Sequence, residues 1–213
     1  MVIAPRRMSK RAIHKSLQQR VDKIARFLAD ALTRLQELPP CNYIDGEEHL
    51  YLGNKHPLSI NTVSGGRGSV ILADGHIRIS TVDASPEALK KKLIAWYRQQ
   101  ANQYFNDRIQ TISKNAPWVQ ENMPPMRLRK MKRTWGSCSS SGVITLNPRL
   151  IKAPPACIDY VIAHELCHLR EMNHSKAFYT LQAVLYPPWH EAREHLREQA
   201  HIYLHDGERA SLM

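Results

Sequence analysis

The chain has 213 residues, 43% of them hydrophobic and 23% charged, the proportions of a globular protein with core enough for one domain or two small lobes. No apolar run approaches the ~20 residues that cross a bilayer, and the opening MVIAPRRMSKR lacks the apolar centre of a secretory signal, so a soluble, cytoplasmic protein with no membrane partner is expected. Thirty Lys and Arg against 19 Asp and Glu give a net charge of +11, which attracts nucleic acid, nucleotide phosphates or acidic protein tails without choosing among them. A solvated basic surface that binds nothing fits the same number.

In chain order, Val2–Ala4 reads as a short extended piece. A helix follows from about Ser9, with Ile13, Leu17, Val21, Ile24, Leu28, Ala31 and Leu35 as its apolar stripe and Pro39-Pro40 as its stop. Packing against a sheet explains the stripe better than a nucleic-acid or membrane surface. A turn at Asp45-Gly46 opens strand-like alternation to Gly53, and a second strand covers His56–Val63, with Pro57 confining that part to an end or edge. Ser69–Leu72 and Ile77–Ile79 read as a hairpin around Asp74-Gly75. Gly65–Gly68 lacks the Lys and Ser/Thr of a phosphate-binding loop.

Ser85-Pro86-Glu87 has the cap, tolerated proline and early negative charge of a helix start. Trp96 and Tyr97 on that helix are expected in the core. A strand and basic helix at 2–35 are echoed at 77–109. The proline-bearing stretch Asn115–Pro125 suggests a boundary, dividing an N-terminal α+β lobe (1–114) from a catalytic region (115–213). Met126–Arg133 then reads as an exposed basic strand, Thr134–Cys138 as the turn into a polar loop ending at Gly142, and Val143–Asn147 as the second strand of a hairpin. Ser175 is a plausible N-cap for a supporting helix that ends at Pro187-Pro188, and another helix runs from Trp189 to Leu204 around Leu196. ERASLM is a frayed tail.

The segment that carries chemistry is Asp159–His174, which contains His164-Glu165-Leu-Cys-His168. On a helix, two histidines four apart project from one face and can bind one zinc ion, while Glu165 beside them can take a proton from a water that the metal activates. Pro154 and Pro155 suit the helix start, and Ile158, Ile162, Leu166 and Leu169 form a core-facing stripe. If the helix stops near Met172, Asn173 can turn the chain and bring His174 back as the third ligand. The ten-residue spacing from His164 to His174 matches the long metzincin signature, but Glu171 stands where that signature has its turn glycine. Burying two histidines and a glutamate with no metal would carry a large desolvation cost. Cys41, Cys138, Cys157 and Cys167 lack zinc-ribbon spacing and read as free thiols, with Cys167 a small buried residue.

WGSCSSSGVITLNPRL and CIDYVIAHELCHLREMNHSKAFYTL resemble the core of the YgjP-like (DUF45) family of metal-dependent hydrolases, which is similar in its HExxH core to the SprT-like and WLM metallopeptidases. YIDGEEHLYLGNKHPLSI and AWYRQQANQYFNDRI extend the resemblance over nearly the whole chain. It implies an α+β fold: a zincin-like metallopeptidase domain with an HExxH active-site helix and adjacent β-hairpin, preceded by a smaller α/β N-terminal lobe. It places one catalytic Zn2+ on His164, His168 and His174, with Glu165 as catalytic base, and puts Trp135, Gly136, Ser137 and Cys138 beside the metal. With Arg133, Asn147, Tyr179 and His190 these make the expected substrate cleft. Relatives begin with a basic β-hairpin ahead of the segment matching VIAPRRMSKRAIHK, so the first lobe is expected to be trimmed or differently completed.

His190, Tyr179, Arg133 and Arg170 are candidates for the donor that meets developing negative charge, and Glu171 and Glu191 for a carboxylate that orients a ligand imidazole. Three functions follow. The first is hydrolysis of a peptide or protein substrate. The second is hydrolysis of a phosphoanhydride in a nucleoside triphosphate at the same site, motivated by the charge and the basic strand. The third is a nucleic-acid-associated protein with structural zinc, against which Glu165 argues, since a closed structural site needs no base. Nothing in the sequence specifies an oligomeric state.

Overall fold

The first strands turn through left-handed backbone, which the glycine of each turn adopts without strain. Strand β1 (Glu48–Tyr51) reverses through Leu52-Gly53, both at positive φ, into β2 (Asn54–Thr62), and β3 (Ser69–Ala73) reverses through Asp74-Gly75 into β4 (His76–Thr81). The computed structural model describes residues 8–29 apart from 19, 22, 24 and 27, and residues 40–119 and 123–206. The compact units divide between Pro40 and Cys41, not at the expected boundary after residue 114.

In the first unit, α1 (Lys10–Gln18) is an exposed basic helix in which Ile13 and Leu17 are half-buried and no residue is buried. Only part of the expected stripe falls within the described residues. Val2–Ala4, Ile24, Ala31 and Leu35 lie outside them, as does the tail after Asp206.

In the second unit the strand order is β1-β2-β4-β3, with β2 and β4 parallel and the other pairs antiparallel. Pro57 in β2 sits where one ladder gives way to the next: residues through Pro57 pair with β1, and those from Leu58 pair with β4. A residue without an N–H is tolerated at that changeover. Ile77 and Ile79 alternate inward from β4. They share a core with the inner face of α2 (Pro86–Ser113), which includes Leu89, Leu93, Trp96, Tyr97 and Phe105. Ser85 caps α2 by accepting from Ala88 N at 3.4 Å, as its sequence suggests.

The helix α2 runs through both halves of the expected division. It packs on the 3-10 turn η1 (Pro148–Lys152) and on the helix carrying the HExxH residues, α3 (Pro155–His168). Arg108 grips Asp159 with two hydrogen bonds of 2.7 and 2.9 Å, fixing α3 against α2. Nor is 115–119 a linker: Ala116 and Val119 are fully buried, and Trp118 Nε1 donates to Leu166 O at 2.9 Å beneath α3. These contacts merge the two expected lobes into one core.

A second, smaller sheet has the order β5 (Met126–Leu128), β7 (Ile144–Leu146), β6 (Gly136–Cys138). The strand expected over Met126–Arg133 is only three residues long and pairs with β7 in parallel, so it is no hairpin partner. The hairpin joins β6 to β7, and β6 is the segment read from sequence as a turn. Two helices finish the chain. In α4 (Lys176–Leu185), Ser175 Oγ accepts from Phe178 N at 3.3 Å, and α5 (Trp189–Leu204) buries Leu196. No helix among the described residues is long and apolar enough to cross a membrane.

Candidate metal centre and cleft

Two features aim the helix that carries the centre. Pro154 starts α3 and packs on Gly53, where a Cβ would lie 2.9 Å from Pro154 Cγ; the β1–β2 turn also donates Leu52 N and Gly53 N to the carbonyls of Ile151 and Lys152. Along α3, Cys157, Ile158, Val161, Ile162, Ala163, Leu166 and Cys167 are buried, so the helix is enclosed on more of its circumference than one apolar stripe predicts. The half-buried faces of His164 and His168 remain. After Leu169 the backbone turns, Ser175 N donates to Asn173 O at 2.7 Å, and the exposed His174 is returned to the other two.

His168 Nε2 and His174 Nε2 lie 3.2 and 3.0 Å from His164 Nε2. The other ring nitrogens set the tautomers. Glu171 O, 3.0 Å from His168 Nδ1, can only accept, so that Nδ1 carries the proton; Gln182 Oε1 plays the same part for His164 Nδ1 at 3.2 Å. Burial, and then the neighbouring His168, push the His164 imidazole down to about 4, and burial lowers His168 as well. Two neutral rings thus present bare Nε2 lone pairs to each other, an arrangement that repels unless a cation lies between them. The three histidines fit a metal ion in donor type and convergence, and His164 and His168 also in tautomer. Phe178 forms an apolar floor, its ring centroid 4.6–4.8 Å from those of all three.

The orienting partners differ from the carboxylates expected. Glu171 acts through its backbone carbonyl, the side-chain acceptor is the amide of Gln182, and Glu191 is exposed. Gln182 is fully buried on α4, and nothing near the motif in sequence announces it.

Glu165 is 4% exposed, and its Oε2 is buried with no hydrogen-bond partner. Burial pushes its carboxyl up to about 8. Gly136 makes room for it: a Cβ there would lie 2.5 Å from Glu165 Oε1. Cys138 follows two residues on, with its thiol pushed up to about 11 by burial and by Glu165, and Ser137 lies between them, half-buried.

The other expected cleft residues divide. Tyr179 lines a cavity of about 190 Å³ beside His164 and His174, together with Tyr160, Trp189 and Arg193, which the sequence did not single out. Trp189 stacks on Tyr179 at 5.3 Å, and His190 is exposed and stacks on Trp189 without lining the cavity. Arg133 and Arg170 are exposed and do not line it either. Trp135 turns toward Tyr203. Asn147 is fully buried, and its Nδ2 donates to Met131 O and Thr134 O at 2.9 and 3.3 Å. It therefore supports the loop before β6 and is unavailable to a substrate.

A family model described as YgjP-like, metallopeptidase domain, matches residues 1–199. A search of curated proteins gives no match. Among solved structures, the crystal structure of the metallopeptidase zymogen of Pyrococcus abyssi abylysin is similar, with 21% identity and a TM-score of 0.41 over 45% of this chain and 93% of that one.

Proposed function

The chain belongs to the YgjP-like family, and on that premise we propose that it is a zinc-dependent peptidase with His164, His168 and His174 as metal ligands and Glu165 as the catalytic base. As a family member it is a metal-dependent hydrolase with the mixed α/β fold of a zincin-like metallopeptidase domain. The observation that carries the finer reading is the pairing of three converging Nε2 atoms with a buried, partnerless carboxylate on the same helix turn. A structural site has no use for that carboxylate, which argues against a nucleic-acid-associated protein with structural zinc.

Zinc, when bound, supplies a Lewis acid that makes water acidic and a carbonyl electrophilic. The protein's own part begins with Glu165, whose carboxylate accepts the water proton as the water oxygen adds to the scissile carbonyl carbon. It then returns the proton to the amide nitrogen as the C–N bond breaks, leaving a new carboxylate and a new amine. The Tyr179 hydroxyl is the donor for the negative charge that develops on the carbonyl oxygen.

The edge strand β6 supports an extended substrate. Asn147 N donates to Trp135 O and Ser139 N to Val143 O, so by antiparallel alternation Ser137 faces β7 while Gly136 and Cys138 turn their backbone groups to the open edge. A peptide can add there as another strand, next to Glu165. One observation favours the second reading, phosphoanhydride hydrolysis in a nucleoside triphosphate: no carboxylate lines the cavity beside the histidines, and Arg193 does.

The deciding experiment offers zinc-loaded protein a mixture of peptides and nucleoside triphosphates and identifies the products by mass spectrometry, with Glu165→Gln in parallel. New peptide termini are expected from the wild type. Glu165→Gln is expected to keep its zinc and lose about 10²–10⁴-fold in turnover. Equal turnover by the two proteins removes Glu165 from the mechanism, and phosphate or pyrophosphate release by the wild type alone replaces the peptidase reading with the nucleotide one.

A further inference from the structure

The cavity of about 190 Å³ next to His164 and His174 is donor-rich and free of acids. Arg193 contributes a guanidinium, and Tyr160 and Tyr179 contribute hydroxyls. Gln182, fully buried on the same cavity wall, commits its Oε1 to His164 and turns its Nε2 to the Tyr160 hydroxyl, which is left with its own proton to donate. A lining of donors with no carboxylate facing them suits an acceptor that arrives from outside.

Arg193 sharpens the chemistry. It stands one turn after Trp189 on α5, so both project from the same face, with Trp189 stacked on Tyr179. Among the described residues Arg193 forms no ion pair and no hydrogen bond. Its neighbour Glu194 is engaged by Arg197, which donates to both carboxylate oxygens at 3.0 Å. An arginine held only for solubility has no need to line the one cavity that touches the histidines among those described. The volume lies below that of a site for a whole drug-sized molecule and suits one acidic group.

We propose that Arg193 is a specificity-determining residue that receives an oxyanion of the substrate in this cavity. The assignment rests on reading the histidine cluster as the reaction site. The oxyanion is a carboxylate if the substrate is a peptide and a phosphate if it is a nucleotide; a planar guanidinium takes either through two parallel hydrogen bonds. In a peptidase, this selects substrates with an acidic side chain or a terminal carboxylate close to the scissile bond.

Equilibrium binding tests this apart from turnover. Zinc-loaded Glu165→Gln protein is titrated with short peptides carrying one Glu at successive positions, each paired with its Gln counterpart, and separately with inorganic phosphate. The titrations are repeated with Arg193→Leu and Arg193→Lys added. Arg193 is exposed, so neither substitution should disturb folding, which a thermal melt checks. At one position the Glu peptide should bind about 10-fold more tightly than its Gln partner; Arg193→Leu should erase the difference and Arg193→Lys should keep part of it. Phosphate binding that depends on Arg193, without a Glu preference, upholds the oxyanion role and identifies phosphate as its source. If neither probe responds to Arg193→Leu, the inference is overturned. Failure of the wild type to cleave any peptide removes the peptidase reading alone, because these affinities do not depend on cleavage.

Discussion

Two polar clusters in the second unit differ in what their atoms lack. Around Asp206, at the end of α5, every charged group is answered. Arg149 donates to Asp206 through Nε and Nη2, Lys152 Nζ reaches Asp206 Oδ1 at 3.1 Å and His205 O at 2.7 Å, and Tyr43 donates to Asp206 O at 3.0 Å. Lys152 also lies over the Tyr97 ring. Around His164 the polar groups are aimed and unanswered: converging Nε2 atoms and an orphaned Glu165 Oε2. Each cluster includes buried polar groups, Lys152 in the first and Glu165 and Gln182 in the second, so burial does not separate structure from chemistry. Satisfaction does: a closed network holds the C-terminal helix onto η1, whereas an open one waits for a ligand.

That contrast can be broken first at Gly136. Gly136→Ala drives a Cβ into the Glu165 carboxylate, and the carboxylate is the part that can move. The expected result is a fall in kcat of about 100-fold with zinc content unchanged, measured by steady-state kinetics and elemental analysis. Unchanged kcat means that Glu165 needs no fixed position.

At the satisfied cluster the effect should be on stability. Asp206→Asn leaves Arg149 and Lys152 with reduced compensation and should cost about 3 kcal/mol in urea unfolding, with metal binding unaffected. The pH dependence carries the same signature. Burial alone would raise the Asp206 carboxyl, but Lys152 and Arg149 outweigh it and hold the carboxyl below its ordinary value. A carboxyl depressed in the folded state contributes fully above its unfolded value of ~3.9, and that contribution is lost as pH falls through the folded value. Acid unfolding curves of wild type and Asp206→Asn should therefore converge below that window. Curves that stay parallel throughout would falsify the assignment.

The smallest change is at Gln182. Gln182→Met keeps the volume and removes the acceptor that fixes the His164 tautomer, so zinc affinity should weaken by about 10–100-fold in a competition with a chelator. An unaltered affinity would show that the imidazole is oriented by packing on Phe178 alone.

What the sequence determined is local. The HExxH helix, the turn back to His174, the serine caps at Ser85 and Ser175 and the Asp74-Gly75 hairpin all depend on residues within one or two turns of each other, where spacing and backbone preference suffice. Tertiary structure decided the rest. Strand β6 is three residues long, too short for alternation to show, and it exists because β7 lies beside it. Pro-rich 115–125 looked like a linker, yet Trp118 packs under α3 because a carbonyl and an apolar wall await it there. Asn147, an expected cleft residue, is consumed by two loop carbonyls. Gln182 and Arg193 follow His164 by 18 and 29 positions on two other helices, and no period in the chain links them to it. Their proximity is set by how α4 and α5 pack against α3, a matter of buried surface summed over the whole core.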